Sequence, residues 1–126
     1  MTINDSAVIA ELESLYPQYE RALITNDIET LIALFWHSPQ VSRFGATENL
    51  YGIAEIESFR KSRPAANLTR TVTRLDIVSF GRDFASITIE FERTTPNGPI
   101  HGRQSQTWVR FPEGWRVVAA HVSLLP

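Results

Sequence analysis

The stretch FASITIEFERTTPNGPIHGRQSQTWVRF, Phe84 to Phe111, decides the fold. In its first part Ala85, Ile87, Ile89 and Phe91 alternate with Ser86, Thr88, Glu90 and Glu92. That period of two presses one face of a strand against a core and leaves the other to solvent. The second part, from Ile100, is again β-rich, and the intervening Pro96-Asn97-Gly98-Pro99 has the composition of a hairpin turn. Outward from this hairpin the pattern repeats. Thr69–Phe80 joins it through Gly81-Arg82-Asp83, and Trp115–Leu124 joins it through Pro112-Glu113-Gly114. Four long runs punctuated by three turn signals predict an antiparallel meander.

Upstream of Leu68 the period lengthens. Val8, Ile9, Leu12, Leu15, Tyr16, Tyr19, Ala22 and Leu23 recur three and four apart, drawing one apolar stripe down a helix capped by Asp5 or Ser6. Pro17 is expected to bend or break it, because proline lacks a backbone donor and crowds the carbonyl four residues back. Asn26 and Asp27 offer a cap for a second helix through Ile28, Leu31, Ile32, Leu34 and Phe35. Gln40–Phe44 and Asn49–Tyr51 read as short strands joined at Gly45. Gly52 opens a third helix, with Ile53, Ile56 and Phe59 on one face, closed by Arg63-Pro64. A long sheet after three helices buries its inner face by wrapping around them. The expected fold is therefore α+β: one domain over residues 1–126, a cone-shaped curved antiparallel sheet around three N-terminal helices, with a cavity between.

Composition narrows the function. The chain has 126 residues, 43% hydrophobic and 21% charged, with a net charge of −2; this is neither a disordered chain nor an electrostatic binder of nucleic acid. Without cysteine there is no disulfide, thiolate metal site or cysteine nucleophile, which fits a reducing compartment. The polar, acidic start MTINDSAVIAELESLY resembles no secretory signal, and no apolar run approaches the roughly 20 residues that span a bilayer. A cytoplasmic location without membrane contact is the default expectation. The six glycines are scattered rather than gathered into a phosphate loop, and His37, His101 and His121 have no partner at ligand spacing, so neither a metal nor a cofactor is expected.

Polar residues at inward positions are the remaining candidates. The inner set from Phe84 to Arg93 is read as wholly apolar and carries none. In Gly102–Trp108 one face holds Gln104, Gln106 and Trp108 and the other Arg103, Ser105 and Thr107, so either choice lines a cavity with polar groups. Strict alternation from Trp115 sets His121 and Ser123 with Val117 and Ala119, making His121 a pocket candidate whose ordinary pKa near 6.5 suits proton transfer. Tyr19, on the apolar stripe, must end inside with a polar partner for its phenol. Arg43, in the short strand Val41–Phe44, needs an anion, since a buried guanidinium is costly alone. Its fork suits a carboxylate from either Glu48 or a substrate. Arg70 supplies a second cation if it turns inward. The last two strands have two partly apolar faces. This places Trp108, Trp115 and the outward residues at a two-fold interface.

Several strings together carry a resemblance: Tyr19-Glu20-Arg21-Ala22-Leu23, Leu34-Phe35-Trp36-His37, Arg43-Phe44-Gly45, Glu48–Gly52, Phe59-Arg60, Gly81–Ala85, Gly102–Trp108 and Trp115–Ser123. The chain resembles the AtzH/HpxZ-like group of small bacterial proteins, a branch of the nuclear-transport-factor-2-like, SnoaL-like cone fold. The likeness spans nearly the whole sequence. It implies a homodimeric cone that works alongside an amidase in the breakdown of nitrogen-rich compounds. The implied reaction is conversion of 1,3-dicarboxyurea to allophanate, with Tyr19 and Arg43 as catalytic residues. The expectation is thus hydrolysis or decarboxylation of a small N-carboxylated urea or amide, with Arg43 on a carboxylate, Tyr19 as donor, and Arg70, Gln104, Gln106 and His121 holding the rest. The alternative is a dimeric module that binds a small carboxylate, or docks on an amidase, without chemistry of its own.

Overall fold

A computed structural model describes residues 1–66 and 68–126. Helix α1 spans Ser6–Ile24, and the Asp5 carboxylate accepts from the backbone N–H groups of Ala7 and Val8, satisfying donors that a first turn leaves open. Val8, Leu12, Tyr16, Tyr19 and Leu23 form its buried stripe. The helix is continuous through Pro17, contrary to the expected break. Pro17 lies on the exposed face, where water can solvate the carbonyl that lost its partner. Helix α2 (Ile28–Ala33) is capped by Asp27 through the Thr30 N–H. Strands β1 (Ser42–Phe44) and β2 (Asn49–Tyr51) and helix α3 (Ile53–Ser62) follow. The C-terminal half is β3 (Thr71–Phe80), β4 (Phe84–Thr95), β5 (Gly98–Phe111) and β6 (Gly114–Leu124). No helix among the described residues is long and apolar enough to cross a membrane.

One curved sheet holds all six strands in the order β2-β1-β6-β5-β4-β3. β3 to β6 form the antiparallel meander that alternation and turn signals predict. The short hairpin adds to its far edge by a parallel pairing of β1 with β6, which sets Arg43 beside Ala120. Val117 anchors the chain leaving α2: it accepts from Trp36 N–H (2.9 Å) and donates to the Leu34 carbonyl (2.8 Å). Leu12, Phe35, Ile56, Ile87, Ile89, Trp108 and Val117 meet in the core between helices and sheet.

Two expectations change with the register. Trp108 is 0% and Trp115 6% exposed, so neither forms an outer interface. The Trp108 indole donates to Gln106 Oε1 (3.0 Å), and that of Trp115 donates to Glu11 Oε2 (2.9 Å). Moreover, Trp108 pairs with Val117 while Thr107 pairs with Ala119, which leaves Val118 unopposed in a β-bulge. One extra residue reverses which face each later side chain takes. Beyond the bulge Ala120 is buried and Val122 packs on the core, and His121 turns outward.

Gly102 faces Phe91 across β4 and β5, and a Cβ there would overlap the Phe91 ring. Gly102→Ala should therefore lower unfolding free energy by about 1–3 kcal/mol through overpacking, despite alanine's better fit to a strand. A denaturant melt of the two proteins checks this. An unchanged midpoint would mean that the ring moves aside freely.

Candidate functional site

The cavity, about 140 Å³, opens between the C-terminal half of α1, the β1–β2 hairpin, the end of α3 and the inner faces of β4 to β6. Helical spacing brings Tyr19 to it from α1, four residues before Leu23, which also lines it. The phenol ring is 2% exposed and packs edge-on against Trp108 (centroids 6.3 Å apart) and tilted against Phe35 (6.2 Å).

Arg43 enters from β1, 6% exposed. Its Nη1 donates to Glu48 Oε1 at 3.1 Å, and Glu48 Oε2 accepts from the Thr47 hydroxyl at 2.6 Å. Gly45 makes this possible, since a Cβ there would overlap Glu48 Oε1. Glu48 takes one nitrogen of the fork; among the described residues no protein acceptor takes the others.

Arg70 does turn inward. Its Nε and Nη2 donate to the two oxygens of Glu20 (2.8 and 2.9 Å), and Nη2 also donates to Gln104 Oε1 (2.9 Å). Gln104 Nε2 donates to the Tyr16 hydroxyl (3.2 Å), which donates to Glu20 Oε1 (3.0 Å). This closed ring of four side chains is the kind of fully satisfied network that rigidifies a wall. The inner face of β5 is thus the Gln104–Gln106–Trp108 face. Only Gln104 reaches the cavity; Gln106 is buried deeper, tied to Trp108. His121 is absent from the cavity. It packs against the Phe44 ring (5.7 Å) and shares an outer depression with Glu90, Arg103 and Ser123.

Three further arginines surround the site. Arg63, just past α3, and Arg93, on β4, line the cavity. Arg60, on α3, lies beneath, fully buried, with Nη2 donating to the Tyr19 oxygen at 3.3 Å. The aromatic faces share the load: Phe59 has Arg43 (5.3 Å) and Arg63 (6.0 Å) over it, and Phe91 has Arg70 (4.3 Å) and Arg93 (6.0 Å), within cation–π range. Signals for two of them are present in the sequence. Arg93 continues the inward series Ala85, Ile87, Ile89, Phe91, so that strand's inner face does carry chemistry. Arg60 sits four residues after Ile56 on the apolar stripe of α3. Arg63, after the helix ends, belongs to no periodic element.

Five guanidiniums (Arg43, Arg60, Arg63, Arg70, Arg93) thus meet two carboxylates (Glu20, Glu48), leaving three positive charges in excess among the described residues. The excess divides two neighbouring phenols whose centroids are 5.8 Å apart. Burial, then the adjacent Glu20 carboxylate, push Tyr16 above the usual phenol range. Burial acts upward on Tyr19 too, but Arg60, Arg43 and Arg70 outweigh it and hold the phenol below its ordinary value. Burial, followed by repulsion from Arg60 and Arg43, brings Arg63 down to about 10.

Glu48 generates a pH signature. Partial burial raises its carboxyl, yet hydrogen bonds from Thr47 and Arg43 and the Arg43 charge hold it below 4.5. A depressed carboxyl contributes stability above its unfolded pKa and loses it as pH falls through the folded one. The wild type's stability advantage over Glu48→Gln should therefore be full above about pH 4.5 and vanish in more acid solution. Denaturant melts of both proteins across that window measure it; a pH-independent difference would exclude the linkage.

Similarity to known proteins bears on family and fold. The chain shares 47% identity with a protein of unknown function from Pectobacterium atrosepticum, over 98% of this chain and 95% of that one (TM-score 0.94). A cystatin-like fold protein from Burkholderia xenovorans is 41% identical over 100% and 99% (TM-score 0.91). An NTF2-like protein from Pseudomonas putida, 17% identical over 94% and 87% (TM-score 0.80), shares the fold alone. No curated protein matches. The AtzH-like family model matches residues 1–126, and with the whole length so covered, on an NTF2-like fold, this chain belongs to the AtzH-like family.

Proposed function

We propose that the cavity binds a small urea or amide bearing N-carboxylate groups and removes one of them, by decarboxylation or hydrolysis. The observation that carries this reading is one small cavity holding both an excess of fixed positive charge and a phenol biased toward giving up its proton. Drug-sized ligands need about 300–1,000 Å³, so the volume suits only a compact molecule. Its charge suits a dianion. The AtzH-like resemblance, with 1,3-dicarboxyurea as its implied substrate, agrees with both.

The chemistry needs a proton at nitrogen. As the bond between nitrogen and the carboxylate carbon breaks, its electron pair passes to nitrogen, which takes the Tyr19 proton, and the carboxylate departs as carbon dioxide. In the hydrolytic variant water adds to that carbon and bicarbonate leaves. The tyrosinate then recovers a proton from water. Arg43 is best placed on the carboxylate that stays, because an ion pair to the departing one would stabilise a charge that disappears in the transition state. Gln104, fixed by Arg70 and Tyr16, presents its amide to the cavity wall and orients the substrate.

Tyr19→Phe keeps the ring and its packing, so it should cost about 1 kcal/mol of stability or less while lowering kcat by about 10²–10⁴, the usual contribution of a positioned proton donor. Release of carbon dioxide or bicarbonate from 1,3-dicarboxyurea is the assay, and full activity in the variant sinks the donor role. A protein that gains thermal stability with this compound but never turns it over is a binding module.

Arg43→Lys tests the anchor. An ammonium cannot reproduce a two-pronged contact, and losing one charge-assisted hydrogen bond of about 1.5–3 kcal/mol should weaken binding of a dicarboxylate by about 10- to 100-fold. Calorimetric titration reads this directly; unchanged affinity would assign Arg43 to Glu48 alone.

A further inference from the structure

Arg60 has no carboxylate partner among the described residues. It sits in the last turn of α3, 0% exposed, with its guanidinium 5.9 Å from the centre of the Phe35 ring. Nε and Nη1 have no hydrogen-bond partner there, and the one hydrogen bond it makes is from Nη2 to the Tyr19 oxygen. A wholly buried charge so poorly answered is strongly unfavourable, and packing alone would be served better by methionine.

The direction of that hydrogen bond explains the arrangement. A guanidinium only donates, so the Tyr19 oxygen accepts from Arg60 and its own proton must go elsewhere. No acceptor for it is found among the described residues, and Tyr19 lines the cavity. We propose that Arg60 is the positioning residue for Tyr19: it aims the phenol proton into the cavity and becomes the counter-ion of the tyrosinate once the proton has moved. This rests on the reading of Tyr19 as proton donor. When the O–H bond breaks, its electron pair stays on the phenol oxygen, 3.3 Å from the Arg60 nitrogen, and the new N–H bond forms on the departing nitrogen. The missing partner of Arg60 thus appears during the reaction, which makes the contact stronger in the transition state than before it.

Other charges face Tyr19: Arg43 from β1, Arg63 after α3, Arg70 before β3, and the neutral Tyr16 phenol from α1. Arg60 is the largest of the cationic influences on Tyr19 and the one that touches it.

The experiment combines phenolate absorbance titration with kinetics on 1,3-dicarboxyurea, for wild type, Tyr19→Phe, Arg60→Met, Arg60→Lys and the Tyr19→Phe/Arg60→Met double variant. Subtracting the Tyr19→Phe curve from wild type isolates the Tyr19 titration. It should lie below that of an ordinary phenol, and a value at or above the ordinary one overturns the proposal without any Arg60 variant. In Arg60→Met the Tyr19 titration and the alkaline limb of kcat should both move to higher pH. There kcat should fall about 10²–10³-fold with little change in KM, and Arg60→Lys should recover part of the loss. In the Tyr19→Phe background Arg60→Met should cost nothing further, since residues acting through one group are not additive. An Arg60→Met protein with altered melting temperature but unmoved titration and kcat would make Arg60 merely structural. Full turnover in Tyr19→Phe would remove the donor reading itself, whereas the absorbance titration still judges the Arg60–Tyr19 coupling independently.

Discussion

A guanidinium stays charged throughout the physiological range, so each arginine that this fold turns inward brings a charge that must be answered where it sits. Everything about the cavity follows from having five of them around one phenol. Two are answered by carboxylates, Glu48 for Arg43 and Glu20 for Arg70. Four share the faces of two phenylalanines, Phe59 and Phe91. What remains is a standing deficit of negative charge in a space lined by protein, and it is on this deficit that the proposed binding of an anion rests.

Each secondary-structure element contributes one part of this balance. Helix α1 presents Tyr16, Tyr19 and Glu20 within a turn and a half, so both phenols and the acid that ties down Arg70 come from one rigid segment. The parallel seam between β1 and β6 carries Arg43 to the wall. Gly45 lets the chain fold Glu48 back against it. The two tyrosines differ in chemistry although they lie side by side, because one shares a carboxylate and the other is surrounded by cations. Groups driven apart in this way are how one site obtains an inert and a reactive member of the same residue type.

Much of this was legible in the linear pattern. The meander and the three helices follow from periods of two and of three to four, and Tyr19 and Arg43 stood out as polar groups at positions that must face inward. What escaped was whatever depended on a break in period or on contact between distant segments. Val118 interrupts the alternation of β6 without any glycine or proline to mark it, so His121 reads as inward when it faces out. Trp108 and Trp115 read as surplus apolar surface because no pattern reveals that Gln106 and Glu11 wait inside for their indole N–H groups. Arg60 carries a charge on a stripe where local propensity wants an aliphatic residue. Such a conflict between local rule and tertiary placement is characteristic of functional positions.

The bulge at Val118 also has a meaning for how such a site can diversify. It acts as a phase switch: the residues of β6 before Val118 keep their orientation whether or not the strand bulges there, and Ala119–Leu124 take the face that the bulge sets. With it, the cavity rim receives the hydrocarbon of Val122 and Leu124. In unbroken alternation the same sequence would instead turn the polar side chains of His121 and Ser123 to that rim. The bulge thus separates an apolar rim from a polar one without any change of residue, and because Ala119, Ala120 and His121 also pair with Ser42, Arg43 and Phe44, the same change of phase sets the neighbours of the strand that carries Arg43.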